Sequence, residues 1–167
     1  MRIADAGPEH LKAIAEIYNR EVRDSPVTFD LEPPDGEQWR AALRGCDPNA
    51  GRFLIVALDG SNDVLAYAKT GPFRDRAAYD STCETSIYVD RSARGHGIGT
   101  ALYSRLIELL EQSPLRLAVA GITEPNPASI ALHEALGFER VGTFNEVGVK
   151  FGRAWDVTWY QRSLRPH

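Results

Sequence analysis

Residues 91–110 read RSARGHGIGTALYSRLIELL. Three glycines at alternate positions, Gly95, Gly97 and Gly99, run without a break into an amphipathic segment. Glycine loses more backbone entropy on folding than any other residue, so three at the mouth of a helix need a reason. Successive backbone N–H groups entering a helix form an anion site, strengthened by the positive end of the helix dipole. Without side chains in the way a phosphate approaches the main chain directly, and Arg91 and Arg94 add positive charge beside it. The stretch reads as a phosphate or pyrophosphate loop, with a purely structural glycine turn as the alternative.

Working outward, STCETSIYVD (81–90) precedes the loop and is rich in β-branched residues, which marks a strand. The helix after the loop runs to about Gln112 and presents Leu102, Leu106, Ile107, Leu109 and Leu110 on one broad face until Pro114 stops it. LRLAVAG (115–121) is the next strand. Strand, loop, helix and strand make one crossover, so the two strands are parallel. NPASIALHEALG (126–137) is a short helix with Gly137 just past its end. FERVGTFNEVGVKFG and AWDVTWYQRS form a last antiparallel pair. Toward the N-terminus, FLIVALD (53–59) and VLAYAKTG (64–71) pair across the turn DGSND. Before them lie a short strand at Arg2–Ala4 and a helix with Leu11, Ile14, Ile17 and Tyr18 at helical spacing. A proline-rich loop over 24–34 follows, then a second helix capped by Asp35 with Trp39 and Leu43 on one face. The order β-α-α-β-β-β-α-β-α-β-β predicts an α/β protein with an α+β-type mixed sheet, in a single domain over 1–167.

The 167 residues suffice for a core without staples, since a chain of this size buries roughly 70% of its unfolded surface. A net charge of −4 argues against a nucleic-acid partner, which calls for a basic face. Cys46 and Cys83 make no disulfide framework, and no cysteine–histidine group has zinc spacing, so no metal is expected. No apolar run suits a signal peptide or a membrane span, so no membrane partner and a cytoplasmic location are expected.

Nucleotide loops differ in detail. A P-loop ends Gly-Lys-Ser/Thr, but this one ends Gly99-Thr100. The dinucleotide pattern needs glycine where Thr100 stands. The pattern R/Q-x-x-G-x-G/A does fit, as Arg94, Gly97 and Gly99, and it resembles the pyrophosphate loop of the GNAT superfamily of N-acetyltransferases. That resemblance implies the GNAT fold, a central parallel strand pair that splays apart, flanked by helices. It also implies acetyl-CoA as co-substrate, its pantetheine arm paired with the exposed strand edge in TSIYVD, at Ile87, Tyr88 and Val89. The pyrophosphate would meet Arg94, Gly95, His96, Gly97, Ile98, Gly99 and Thr100, and Asn126 would contact the cofactor, although asparagine there also caps a helix. Over nearly the full length, GPFRDRAAYDSTCETSIYV, TFDLEP, HEALGF and VGVKFGRAWDVTWYQ resemble the phosphinothricin and methionine sulfoximine/sulfone acetyltransferase branch. Its members acetylate the α-amine of small amino acids with a second polar or anionic group and are typically homodimers.

Acetyl transfer to an amino acid needs a base, because the amine is mostly protonated at neutral pH. Glu84 holds the position of the branch's catalytic glutamate. Arg74 and Arg76 are spaced to clamp two oxyanions, and guanidinium donors match planar oxyanions. Tyr79, Thr85 and Ser86 are further acceptor-side residues, and Phe29 in TFDLEP corresponds to an aromatic pocket residue. His133 in HEALGF is a second catalytic candidate, and Tyr88 and Tyr103 are placed near the thioester. The competing readings are a GNAT enzyme acting on a polyamine, aminoglycoside or protein amine, and a silent coenzyme A-binding module.

Overall fold

The computed structural model describes residues 1–165; the last two positions of the expected domain lie outside the described residues. Seven strands, β1 (Arg2–Asp5), β2 (Leu54–Leu58), β3 (Val64–Pro72), β4 (Thr82–Val89), β5 (Leu117–Thr123), β6 (Glu139–Lys150) and β7 (Arg153–Ser163), form one sheet in the order β1-β2-β3-β4-β5-β7-β6. Only β4 and β5 are parallel. The predicted mixed sheet and its one crossover are both present. What the element order left open is that β7 lies between β5 and β6, so the last hairpin turns its first strand to the sheet edge.

Period-two alternation assigns the two faces. In β2, Ile55 and Ala57 join the core under α3 (Ile98–Glu111), while Leu54, Val56 and Leu58 join the core under α1 (Leu11–Asp24) and α2 (Gly36–Arg44). All five β2 residues are therefore buried. α1 buries Leu11, Ile14, Ile17 and Tyr18, as its spacing predicts, and also Glu21 and Val22. α2 begins in a capping box: Gln38 N donates to Asp35 Oδ1 and Asp35 N to Gln38 Oε1, both at 2.8 Å. α4 (Pro127–Ala135) is capped by Asn126, whose Oδ1 accepts from Ser129 N at 3.2 Å.

The parallel pair is short. β4 and β5 are in register only at Thr82–Leu117, Cys83–Ala118 and Glu84–Val119. Beyond Glu84 both strands continue without pairing each other, and a cleft opens between them. Tyr103 of α3 reaches its apex, where its hydroxyl lies 2.7 Å from Thr85 Oγ1, and Thr85 Oγ1 lies 3.2 Å from the Val119 carbonyl.

Candidate active site

A cavity of about 910 Å³ follows this cleft. One part of its wall comes from the glycine loop, the free stretch of β4 and the start of α4. The other comes from the 24–34 loop, β3, Glu84 and Trp159 of β7.

At the loop end the glycines do different work. Gly95 and Gly97 have φ of +80° and +73°, the left-handed region that side chains disfavour, and a Cβ on either would meet nothing within 4 Å. Gly99 is conformationally ordinary, but a Cβ there would lie 3.3 Å from Val89 Cγ2, so it seats α3 against β4. The first intrahelical bond runs from Ala101 N to Gly97 O, and Gly97 has no side chain with which to cap. The N–H groups of Ile98, Gly99 and Thr100 therefore have no intrahelical carbonyl partner. Arg91 and Arg94 are not idle charges beside this mouth. Both bind the buried Glu21 carboxylate, at 3.2 and 2.9 Å, and Arg91 also binds Asp24 at 3.1 Å. Burial alone would raise the Glu21 carboxyl, but the Ser25 hydrogen bond and the two arginines hold it below its ordinary value. Arg94 Nε also donates to Val89 O at 3.3 Å, which ties the loop to the end of β4.

At the other end, alternation decides which side chains meet. Tyr67 faces Tyr88, Lys69 faces Ser86 and Gly71 faces Glu84 across β3 and β4, so these six share the face turned toward α1 and α2. Thr85, Ile87 and Val89 project to the opposite face. The structure thus brings Glu84 and Ser86 together and sends Thr85 to the apex with Tyr103. Glu84 accepts no hydrogen bond among the described residues and has a glycine opposite. Burial pushes its carboxyl above the ordinary carboxylate value, with Arg74 and Lys69 pulling the other way. The Tyr88 ring stacks on Tyr67 at 5.3 Å and meets Tyr18 edge-on at 5.1 Å.

Phe29 lines the cavity between two anchors. The Tyr18 hydroxyl lies 2.6 Å from Thr28 Oγ1 and donates to Asp30 at 2.7 Å, and the Lys150 ammonium donates to the Thr28 carbonyl at 2.7 Å. The Phe29 ring rests on Gly148, where any Cβ would collide with it. Arg74 also lines the wall and stacks on Phe73, with 4.5 Å from guanidinium to ring centre. Arg76, Tyr79 and His96 are exposed and stand outside the wall. His133 is buried at 3% exposure. Its Nδ1 lies 2.7 Å from the Ser129 carbonyl, which only accepts, so Nδ1 carries the proton and Nε2 accepts from the Tyr103 hydroxyl at 3.0 Å. Burial lowers its pKa, with the bond to Ser129 opposing, and the ring is neutral.

Trp159 and Lys69 are among the wall residues without a place in the sequence reading. Trp159 lies over Gly121, where a Cβ would be 3.2 Å from the indole, and a bare glycine in a buried strand was the available signal. Lys69 is a charged residue that directly follows the buried run Ala66–Ala68 of β3.

Among the described residues no group of three or more His, Cys, Asp or Glu is placed to hold a metal, and no helix is long and apolar enough to cross a membrane. The chain belongs to the acetyltransferase (GNAT) family, whose sequence pattern matches residues 12–138. Its relatives narrow that class to N-acetyltransferases. It is 45% identical to a phosphinothricin N-acetyltransferase of Streptomyces coelicolor, over 93% of this chain and 92% of that one. It is 38% identical to an L-methionine sulfoximine/L-methionine sulfone acetyltransferase of Pseudomonas paraeruginosa, over 98% and 95%. The crystal structure of a phosphinothricin acetyltransferase from Sinorhizobium meliloti in complex with acetyl-CoA superposes with a TM-score of 0.91 at 38% identity, covering 97% of this chain and 87% of that one.

Proposed function

We propose that this enzyme transfers an acetyl group directly from acetyl-CoA to the α-amine of a small amino-acid-like acceptor of the phosphinothricin or methionine sulfoximine/sulfone type, with Glu84 as general base. The observation that carries the proposal is the Glu84 carboxylate. It is half-buried, unbonded and held where β4 leaves β5, in the same cavity as the helix mouth.

The residues present fit acetyl-CoA. The N–H groups of Ile98, Gly99 and Thr100, opened by Gly95 and Gly97, suit a pyrophosphate. The unpaired edge of Ile87–Val89 suits a pantetheine amide chain, and the Asn126 amide N–H₂ remains for a further contact once its oxygen has capped α4. Bound acetyl-CoA supplies the activated acetyl thioester. Glu84 withdraws the ammonium proton directly or through one water, and its raised pKa brings it nearer the amine it must deprotonate. A β4 backbone N–H on the edge that does not pair with β3, at Ile87 or Val89, meets the negative charge that develops on the thioester oxygen. His133 is assigned a positioning part: its ring is neutral and accepts from Tyr103, whose hydroxyl meets Thr85 beside Glu84.

We also propose a homodimer. Val141, Phe144, Val147, Val149 and Phe151 of the last hairpin are each more than half exposed, and Phe151 holds a left-handed φ of +53° at its tip. An apolar patch of this kind on one hairpin suits a second copy. Light scattering is expected to return twice the 18.5 kDa chain mass, and a single-chain mass would refute the dimer.

The acceptor class is tested by coenzyme A release at equal concentrations of phosphinothricin, methionine sulfoximine, methionine sulfone, unsubstituted amino acids, a polyamine and a short peptide. Turnover should concentrate on the first three. A higher rate on the polyamine or the peptide would overturn the assignment, as would silence on all.

A further inference from the structure

Three cations line the cavity, and two of them have occupations. Arg94 is bonded to Glu21, and Arg74 stacks on Phe73 at the exposed rim. Lys69 is the third. It is half-buried and, among the described residues, makes no hydrogen bond or ion pair. Its ammonium stands 5.6 Å from the centre of the Trp39 ring. The floor beneath offers it no acceptor, since the Trp39 indole N–H is itself buried without a partner. Burial pulls the Lys69 ammonium below its ordinary pKa, with the carboxylates of Asp30 and Glu84 opposing from beyond ion-pair distance. A half-buried cation with no hydrogen bond or ion pair has its donors free for an anion, and desolvation makes such a pairing worthwhile.

The register says which anion. Lys69 lies opposite Ser86, one diagonal step from Glu84, and diagonal cross-strand neighbours are about 7–8 Å apart. Gly71 opposite Glu84 leaves the space between them clear. In an amino acid the α-carboxylate is two bonds from the amine nitrogen, whereas a side-chain phosphinate or sulfone is several bonds farther. With the amine at Glu84, the near oxyanion falls between Glu84 and Lys69, and the distant one extends toward Arg74 at the rim. We infer that Lys69 is a specificity-determining residue that holds the acceptor's α-carboxylate while Glu84 holds the amine. This rests on the amino-acid acceptor proposed above.

The test compares methionine sulfone with the amine left when its carboxylate is removed, so that any effect of Lys69 on Glu84 ionisation acts on both acceptors alike. In the wild type the amino acid should be strongly preferred. Lys69→Met should lower kcat/KM on methionine sulfone by about 10- to 100-fold, mainly through KM, as expected for a lost hydrogen bond to a charged group. Its rate on the decarboxylated amine should stay within about twofold of wild type, with an unchanged acetyl-CoA KM, and Lys69→Arg should recover most of the loss. Equal losses on both acceptors, or a loss on neither, would overturn the inference and leave the acceptor class intact. A wild type with no preference between the two would do the same. A wild type silent on both would overturn the acceptor class, and this inference with it.

Discussion

Glu21, on the buried face of α1, accepts hydrogen bonds from Ser25 Oγ at 2.6 Å and from Arg91 and Arg94. Glu84, on β4, lies against the same cavity and accepts none. The first carboxyl is held below its ordinary pKa by these partners and the second is pushed above it by burial. A carboxylate engaged by three donors is a brace that ties α1 to the glycine loop. A carboxylate left unbonded where water is partly excluded is ready to accept a proton. Perturbed titration in a cleft marks function only when the partners are counted, and here the partner count separates the two residues.

On the Glu21 side of this contrast, the largest expected effect belongs to the loop that Glu21 braces. Gly97 occupies a left-handed conformation in open space, so Gly97→Val fails through backbone strain of about 1–3 kcal/mol rather than through a clash. The acetyl-CoA KM should rise by up to about 100-fold, with the acceptor KM nearly unmoved. Cofactor titration of the folded variant checks this, and an unchanged affinity would remove the loop from the site. Next, Glu21→Gln should destabilise the fold by about 1.5–3 kcal/mol in urea titration, the range for hydrogen bonds to charged groups. The full cost of an orphaned buried charge does not apply, because the Arg91 and Arg94 side chains keep 41% and 52% exposure. With its pKa lowered in the folded state, Glu21 stabilises above the ordinary carboxylate range, and that contribution fades as pH falls through the folded value. At the acceptor end, Arg74→Ala should cost about tenfold in acceptor kcat/KM, the low end of the same range because Arg74 is exposed. Arg76→Ala should stay within about twofold, since Arg76 stands outside the wall.

The smallest effect has the opposite sign to that of Glu21. A carboxyl whose folded pKa is raised binds its proton more tightly in the native state, so its ionisation opposes folding. Glu84→Gln should therefore raise the melting temperature near pH 7. The gain should vanish as pH falls through Glu84's folded value toward the ordinary 4.5. Melting curves of both proteins across that window check the sign.

Much of this is legible in the sequence. The glycine loop between a β-branched strand and an apolar helix carried the crossover, and the Asp35, Asn126 and Gly137 signals marked helix ends that the structure shows. What the chain pattern hid were meetings across long separations. Arg94 is 73 residues from Glu21, and Lys150 is 122 from Thr28, so no local rule pairs them. Alternation shows that Glu84 and Thr85 face opposite ways, but not that Thr85 turns inward to Tyr103. Lys69 escaped notice because a lysine in a strand reads as an edge or solvent residue until both faces prove to be covered.

The central claim is that Glu84 accepts the ammonium proton, and Glu84→Gln tests it with shape and hydrogen-bonding capacity preserved. Acetyl-CoA affinity should remain at the wild-type level, because the proposed cofactor contacts lie along Ile87–Val89 and the glycine loop. Turnover at pH 7 should fall by about 10²- to 10⁴-fold, the usual worth of a positioned proton transfer, and the residual rate should climb with pH as hydroxide supplies the neutral amine. A folded Glu84→Gln variant that binds acetyl-CoA and turns over at a near-normal rate at pH 7 would contradict the account.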